Sequence, residues 1–161
     1  MWKTGHSLIK AKMKETHAEL AGEMSGHFFF AERWFGFDDG IYAAARLLEI
    51  LAAAPDGIQA LFDALPNAES TPELKVELNE GEQHAFIERF VAKAQFEGAR
   101  INTIDGIRAD WPDGWGLVRA SNTTPLLVLR FEAESKERLA QIQQVFRDQL
   151  LAVSPDLALP F

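Results

Sequence analysis

The sequence predicts a chain of two unlike parts: a helix–hairpin–helix–helix stretch over residues 1–65, and a small α+β domain over 73–161 with helices on one face of an antiparallel sheet. Three observations carry this. Apolar residues recur at helical spacing in the first part. Beyond Pro72 the pattern becomes strand, helix, four strands, helix. Between them Pro66 to Pro72, with Asn67, Ser70 and Thr71, has the composition of a linker, placed at 66–72.

In order, Leu8, Ile9 and Met13 mark one face of a helix beginning near Thr4, with lysines on the other. Ala18–Met24 reads as a short buried strand, Gly22–His27 as its turn, and the aromatic-rich Phe28–Phe35 as the returning strand. Asp38-Asp39 offers N-cap chemistry for a helix from Gly40 to about Ala53, with Ile41, Leu47, Leu48 and Leu51 at helical spacing. A shorter helix is expected from Gly57 to about Leu65. Phe28, Phe29, Phe30, Trp34, Phe35 and Phe37 read as core or interdomain packing.

After the linker, Glu73–Leu78 alternates as a half-buried strand does, and Glu80–Gln95 places Phe86, Ile87, Phe90, Val91 and Ala94 on one helical face. Strands follow near Ala99–Ile104, Gly106–Trp111, Gly116–Ala120 and Leu126–Ala133, the second and third joined through Pro112-Asp113-Gly114. Ser135 caps a final helix running through Leu139, Ile142, Val145, Phe146 and Leu150.

The 161 residues carry a net charge of −8, and the parts before and after Ser70 each carry −4. Neither part suits a general binder of nucleic acid or of an anionic membrane. No apolar run approaches the roughly 20 residues of a membrane span, and the lysine-rich start lacks a secretory h-region. With no cysteine the chain forms no disulfide or zinc–thiolate site, which is compatible with a cytoplasmic location.

Two loops carry residue types suited to chemistry. Arg119-Ala-Ser-Asn-Thr-Thr-Pro125 lies between two apolar strands. A guanidinium offers paired N–H donors to a phosphate; Ser121, Thr123 and Thr124 add hydroxyls and Asn122 an amide. The same composition also makes an ordinary turn. In Gly22-Glu-Met-Ser-Gly-His27, Glu23 can accept from vicinal hydroxyls, Ser25 can donate or accept, and His27 can donate a hydrogen bond or carry a proton. Taken alone, that loop is equally a hairpin turn with an exposed acid. His6 lies at a helix start, His17 and His84 read as surface residues, and Asp38-Asp39 reads as capping rather than metal binding. No dinucleotide, Walker, zincin or nucleophile-elbow motif occurs.

Taken together, in this order, the loops resemble the carboxy-terminal portion of the bacterial phosphomannomutase/phosphoglucomutase branch of the α-D-phosphohexomutase superfamily. The resemblance covers nearly the whole chain and rests on Lys3-Thr-Gly-His6-Ser-Leu-Ile-Lys10, on Glu32–Tyr42 and on Gly114–Pro125. Related phosphoglucosamine mutases carry RPSGTEP where this chain has RASNTTP, which favours the mannose/glucose branch.

This resemblance implies an α/β fragment, the end of a third domain, over 1–65. It implies a fourth, TATA-box-binding-protein-like domain over 73–161. It further implies an isomerase that interconverts hexose 1- and 6-phosphates through a phosphoserine and a glucose or mannose 1,6-bisphosphate intermediate. Glu23 and Ser25 would hold the sugar's O3 and O4, and Arg119, Ser121, Asn122 and Thr123 its phosphate. His6 and His27 resemble active-site histidines with a binding or proton-transfer role.

The family's serine loop (TASHNP type) and magnesium loop (DGDxDR) are absent from the sequence. The expectation is therefore that catalytic serine, magnesium ligands and upstream domains belong to a longer parent, that Ser121 is not phosphorylated, and that the chain alone is inactive. An incomplete third domain is expected to expose a sheet edge and aromatic surface and to self-associate. The alternative is a free-standing, non-catalytic sugar-phosphate binding module.

Overall fold

The computed structural model describes all residues from Met1 to Phe161 and divides them into two compact units, Met1–Pro66 and Asn67–Phe161. Each is taken by itself.

In the first unit, helix α1 (His6–Thr16) buries Ile9 and Met13, four residues apart and so on one face. It ends where His17 turns left-handed at φ 54°, returning the His17 and Ala18 N–H groups to the Met13 carbonyl. Strands β1 (Leu20–Gly22) and β2 (Phe28–Phe30) form an antiparallel hairpin with Leu20 opposite Phe30 and Gly22 opposite Phe28. Phe29, fully buried, packs with Ile9 and Met13, and these three are the whole buried core of the unit.

Both strands are shorter than the sequence suggests. The Gly36 N–H reaches back to the Phe30 carbonyl (2.8 Å), and Gly36 itself takes φ 73°, so the chain leaves the strand direction after Phe30. Of the two expectations for the aromatics, core or interdomain packing, the core reading holds within this unit for Phe29 alone. Of the six aromatics between Phe28 and Phe37 only Phe29 is buried, while Phe35 is 81% exposed. Trp34 instead stacks on Tyr42, centroids 4.3 Å apart, and Phe30 meets Tyr42 edge-on at 5.5 Å.

Helix α2 (Gly40–Ala53) starts as its sequence dictates: an Asp39 carboxylate oxygen accepts the Ile41 and Tyr42 N–H groups at 3.0 Å. Helix α3 (Gly57–Asp63) follows, and neither helix buries a residue. Ile41, Leu47 and Leu48, which the periodicity assigns to a packed face, are exposed. Periodicity identifies an apolar stripe; it does not supply the surface that covers it. What anchors α2 is Tyr42, set against Trp34 and Phe30, together with a polar clasp. Arg33 grips Glu49 with two N–H donors (3.0 and 2.9 Å), and Arg46 donates to Glu32 (2.6 Å) with its guanidinium over the Phe30 ring.

The second unit is a six-stranded antiparallel sheet with two helices on one face. Strands β5 (Arg100–Asn102), β6 (Ile107–Trp111), β7 (Gly114–Ala120) and β8 (Leu126–Ala133) run side by side. The outer edge of β8 pairs first with β3 (Glu69–Ser70) and then with β4 (Leu74–Glu77).

Strand β3 lies inside the segment read as a linker, and the second unit begins at Asn67, ahead of it. A two-residue edge strand amid turn-forming residues has no periodicity to detect. Pro72 cannot donate to the ladder, so Thr71 bridges the interruption. Its N–H donates to the Phe131 carbonyl (3.0 Å) and its hydroxyl accepts the Phe131 N–H (3.1 Å).

Alternation along the strands sends Ile107, Ala109, Val118, Leu127, Leu129 and Phe131 inward, onto helices α4 (Glu82–Lys93) and α5 (Lys136–Val153). The helices contribute Phe86, Phe90, Ile142, Phe146 and Leu150. Ser135 caps α5 by accepting the Arg138 N–H (3.1 Å). β7 begins at Gly114, earlier than the sequence suggests, with Gly114 opposite Trp111. A Cβ there would lie 2.6 Å from the Glu132 carbonyl and from the Ile142 side chain, so this close approach admits only glycine. No helix is long and apolar enough to cross a membrane.

Candidate functional site

The loop of the first unit is a tight turn. Glu23 N–H donates to the His27 carbonyl (2.8 Å) and Gly26 N–H to the Glu23 carbonyl (3.0 Å), with Gly26 at φ 91°. That conformation is easy for glycine and costly for other residues. One carboxylate oxygen of half-buried Glu23 accepts the Gly5 N–H at 2.6 Å, across eighteen residues of sequence. This bond ties the start of α1 to the loop, so His6, next to Gly5 in the chain, is drawn to the same end of the unit. Ser25 and His27 are exposed.

His27 Nδ1 lies 2.5 Å from a carboxylate oxygen of Asp38. Asp38 is held there because its backbone bridges to Phe29 and the next residue, Asp39, donates its N–H toward the Phe28 carbonyl. The sequence reading missed both cross-links. Each depends on the hairpin bringing distant residues together, and only the adjacency of two acids before a helix hinted at a divided role. The division is plain in the structure: Asp38 meets His27, whereas Asp39 caps α2 and accepts the Trp34 indole N–H (3.2 Å). His6 has its ring near the Ser7 hydroxyl (3.1 Å), and His17 and His84 are exposed.

The loop of the second unit joins β7 to β8 at the end of the sheet. Ser121 N–H donates to the Leu126 carbonyl (2.9 Å) and Leu126 N–H to the Thr124 carbonyl (2.8 Å). Ser121 points into this turn and is only 7% exposed. Its hydroxyl accepts the Thr123 and Thr124 N–H groups, each at 3.3 Å, and lies 2.8 Å from the Thr124 hydroxyl. Asn122 and Thr123 stand exposed at the tip.

Arg119 precedes the turn, its register position on the helix-free face, and is half-buried with one guanidinium N–H on the Ala120 carbonyl (3.2 Å). The backbone beneath it is fixed by Gly106 at φ 73°, where a Cβ would come 2.1 Å from the Val118 carbonyl and 2.7 Å from the Arg119 Cα. The arrangement is a rigid turn beside a guanidinium that carries no carboxylate partner, suited to an oxyanion.

Four charged groups near α2 have displaced pKa values, and none lies in these loops. The hydrogen bond from Arg46 holds the Glu32 carboxyl below its ordinary range, and that from Arg33 does the same for Glu49. Glu49 and Glu32 in turn raise Arg33, while Tyr42 and Glu32 raise Arg46. No three histidine or acidic side chains stand close enough to hold a metal ion.

Comparisons with known proteins agree on a relationship. The family model described as phosphoglucomutase/phosphomannomutase, alpha/beta/alpha domain III, matches residues 1–68, and that of the C-terminal domain matches residues 73–149. The phosphomannomutase/phosphoglucomutase of Pseudomonas syringae pv. tomato is 60% identical over 100% of this chain and 35% of its own length. The phosphoglucomutase of Neisseria gonorrhoeae is 57% identical over 99% of this chain and 35% of its own. A crystal structure of a phosphoglucomutase/phosphomannomutase family protein from Burkholderia thailandensis superposes with a TM-score of 0.91 at 57% identity, covering 100% of this chain and 34% of that one.

The chain thus spans about a third of the length of these relatives and aligns with their carboxy-terminal part. With both domain models in sequence and the fold matched throughout, the chain belongs to the phosphoglucomutase/phosphomannomutase family, of which it carries domain III sequence and the C-terminal domain.

Proposed function

We propose that this chain is the sugar- and phosphate-binding portion of a phosphohexomutase that interconverts hexose 1-phosphate and hexose 6-phosphate. The reaction would run through a phosphoserine and a 1,6-bisphosphate intermediate. The observation that carries the reading is the β7–β8 turn: Arg119 without a carboxylate partner, beside exposed Asn122 and Thr123, on a loop braced from inside by Ser121.

Phosphate would be held by the Arg119 guanidinium and by donors from the turn. Ser121 acts chiefly by shaping the loop, since its oxygen already serves two backbone amides. In the other loop Glu23 spends one carboxylate oxygen on Gly5 and keeps the second for the sugar's O3 and O4, with Ser25 beside it. His6 and His27 supply hydrogen bonds or proton transfer at that end of the first unit. Phosphoryl transfer depends mainly on positioning and charge stabilisation, so binding loops of this kind are a substantial share of the machinery.

O3 and O4 exchange places nearly symmetrically when a hexose bisphosphate is turned end for end. One Glu–Ser pair therefore serves both orientations. Neither loop reads C2, where mannose and glucose differ, so the parent enzyme accepts both sugars. The serine nucleophile and any magnesium ligands would come from the upstream part of the parent, and the location is the cytoplasm. The covering of α2 and α3 would come from the same source or from self-association.

The test is an assay of glucose 1-phosphate and mannose 1-phosphate conversion by the chain alone and by the parent protein, each with the 1,6-bisphosphate supplied. Turnover of both sugars by the parent and none by the chain is expected. Turnover by the isolated chain, or none by the parent, contradicts the reading.

A further inference from the structure

The geometry points to Asp38 as the positioning residue that sets which nitrogen of His27 faces the ligand, an inference that rests on the proposed sugar-binding role of the Gly22–His27 loop. A neutral imidazole carries one proton. Whichever nitrogen holds it donates, and the other accepts. The Asp38 carboxylate can only accept, and it lies 2.5 Å from Nδ1. The proton of the neutral ring therefore sits on Nδ1, and Nε2 is turned out as an acceptor.

A hexose presents hydroxyl groups, which donate to such an acceptor. With Nε2 protonated instead, the ring would offer the sugar only a donor and would leave Nδ1 facing a carboxylate with no hydrogen between them.

Three features hold Asp38 in place independently of His27. Its backbone bridges Phe29, the only fully buried aromatic of the unit. The Asp39 N–H approaches the Phe28 carbonyl (3.4 Å). The Asp39 side chain is committed to the first turn of α2, fixing the chain on the other side. The carboxylate thus approaches the ring from a braced backbone, although both side chains reach solvent, with relative exposures of 51% for His27 and 35% for Asp38. A carboxylate that fixes a histidine tautomer is a recurrent device where the second nitrogen must do a particular job. Here it links the cap of α2 to the ligand-facing loop.

The test is nitrogen-15 NMR of the His27 ring in the full chain, at a pH high enough that the ring nitrogen shifts no longer change with pH, so that the neutral ring is read. Proton on Nδ1 in the majority is expected for the unsubstituted chain. Asp38→Ala should move the majority to Nε2, and Asp38→Asn, which keeps an accepting oxygen, should restore Nδ1. A wild-type ring protonated mainly on Nε2 overturns the proposal without any variant being needed, as does an Asp38→Ala spectrum identical to wild type.

A second arm adds glucose 1-phosphate to the unsubstituted chain and follows Nε2. A shift of that nitrogen supports an acceptor facing the sugar. No shift, with the Nδ1 tautomer present, overturns the sugar-facing role of His27 while leaving the Asp38–His27 tautomer established.

Discussion

The two units bury apolar surface very differently. In the second, helices α4 and α5 press Phe86, Phe90, Ile142, Phe146 and Leu150 onto the inward residues of a six-stranded sheet. In the first, Ile9, Met13 and Phe29 form the whole buried core, and α2 and α3 leave Ile41, Leu48, Ile50 and Ile58 more than half exposed. The lesson is that helix formation and helix burial are separate events. Helix α2 has its cap, its spacing and a polar clasp to Glu32 and Arg33, and still no covering layer. Both units nevertheless place their loops by local means, a cross-linked turn in one and a braced strand connection in the other.

The largest expected effect comes from breaking the second unit at its centre. Phe146 is fully buried against Phe96 and Phe131, with centroids 4.5 and 5.2 Å away. Phe146→Ala should cost about 3–5 kcal/mol. Leu48→Ala in the exposed stripe of α2 should cost no more than about 0.5 kcal/mol. Denaturant unfolding followed by signals from each unit reads both, and similar losses in the two variants would erase the contrast.

A smaller effect is expected at Gly106. Alanine there must adopt φ 73° and clear the Val118 carbonyl and Arg119 Cα. A loss of about 1–3 kcal/mol is expected from overpacking. It should come with displaced backbone amide shifts at Arg119 and Ala120, whereas an alanine tolerated without either change would show that the close approach does not fix the Arg119 backbone.

The smallest effect is electrostatic and confined to the first unit. Arg46 and Arg33 hold the Glu32 and Glu49 carboxyls below their ordinary pKa. A group lowered in the folded state lends stability that is complete above its unfolded pKa, about 4.3 for glutamate. That stability fades as pH falls through the lower folded value. Acidification from pH 5 should therefore loosen the Arg33 and Arg46 signals, and salt should weaken the same contacts at neutral pH. Signals indifferent to both would mean that the clasp contributes nothing measurable.

Much of this was legible from residues alone. Ser135 announced α5, strict alternation announced β4, and the spacing of Phe86, Ile87 and Phe90 announced the packed face of α4. The two loops stood out because Arg119 and Glu23 sit among turn formers between apolar strands. Strand β3 escaped because two residues have no period, and because Thr71 supplies a hydrogen bond that composition does not reveal. The exposure of Ile41 and Leu48 escaped because the sequence of a helix names its apolar side without naming a partner. The Gly5–Glu23 and His27–Asp38 contacts escaped because they exist only once the hairpin has closed. Within the loops, composition does not distinguish Ser121, which folds inward, from Asn122 and Thr123, which face out, because all three are turn formers with donors to offer.

The central claim is that a phosphate is gripped at the β7–β8 turn and a sugar at the Gly22–His27 turn. Chemical-shift titrations of the chain with inorganic phosphate and with glucose 1-phosphate, up to millimolar concentrations because the chain spans only about a third of its relatives' length and so offers a partial cleft, test it most directly. Both ligands should move the amides of Arg119 to Thr124, only the sugar phosphate should also move Glu23, Ser25 and His27, and Arg119→Ala should abolish the response to phosphate. Unmoved Arg119–Thr124 signals at millimolar glucose 1-phosphate would contradict the account.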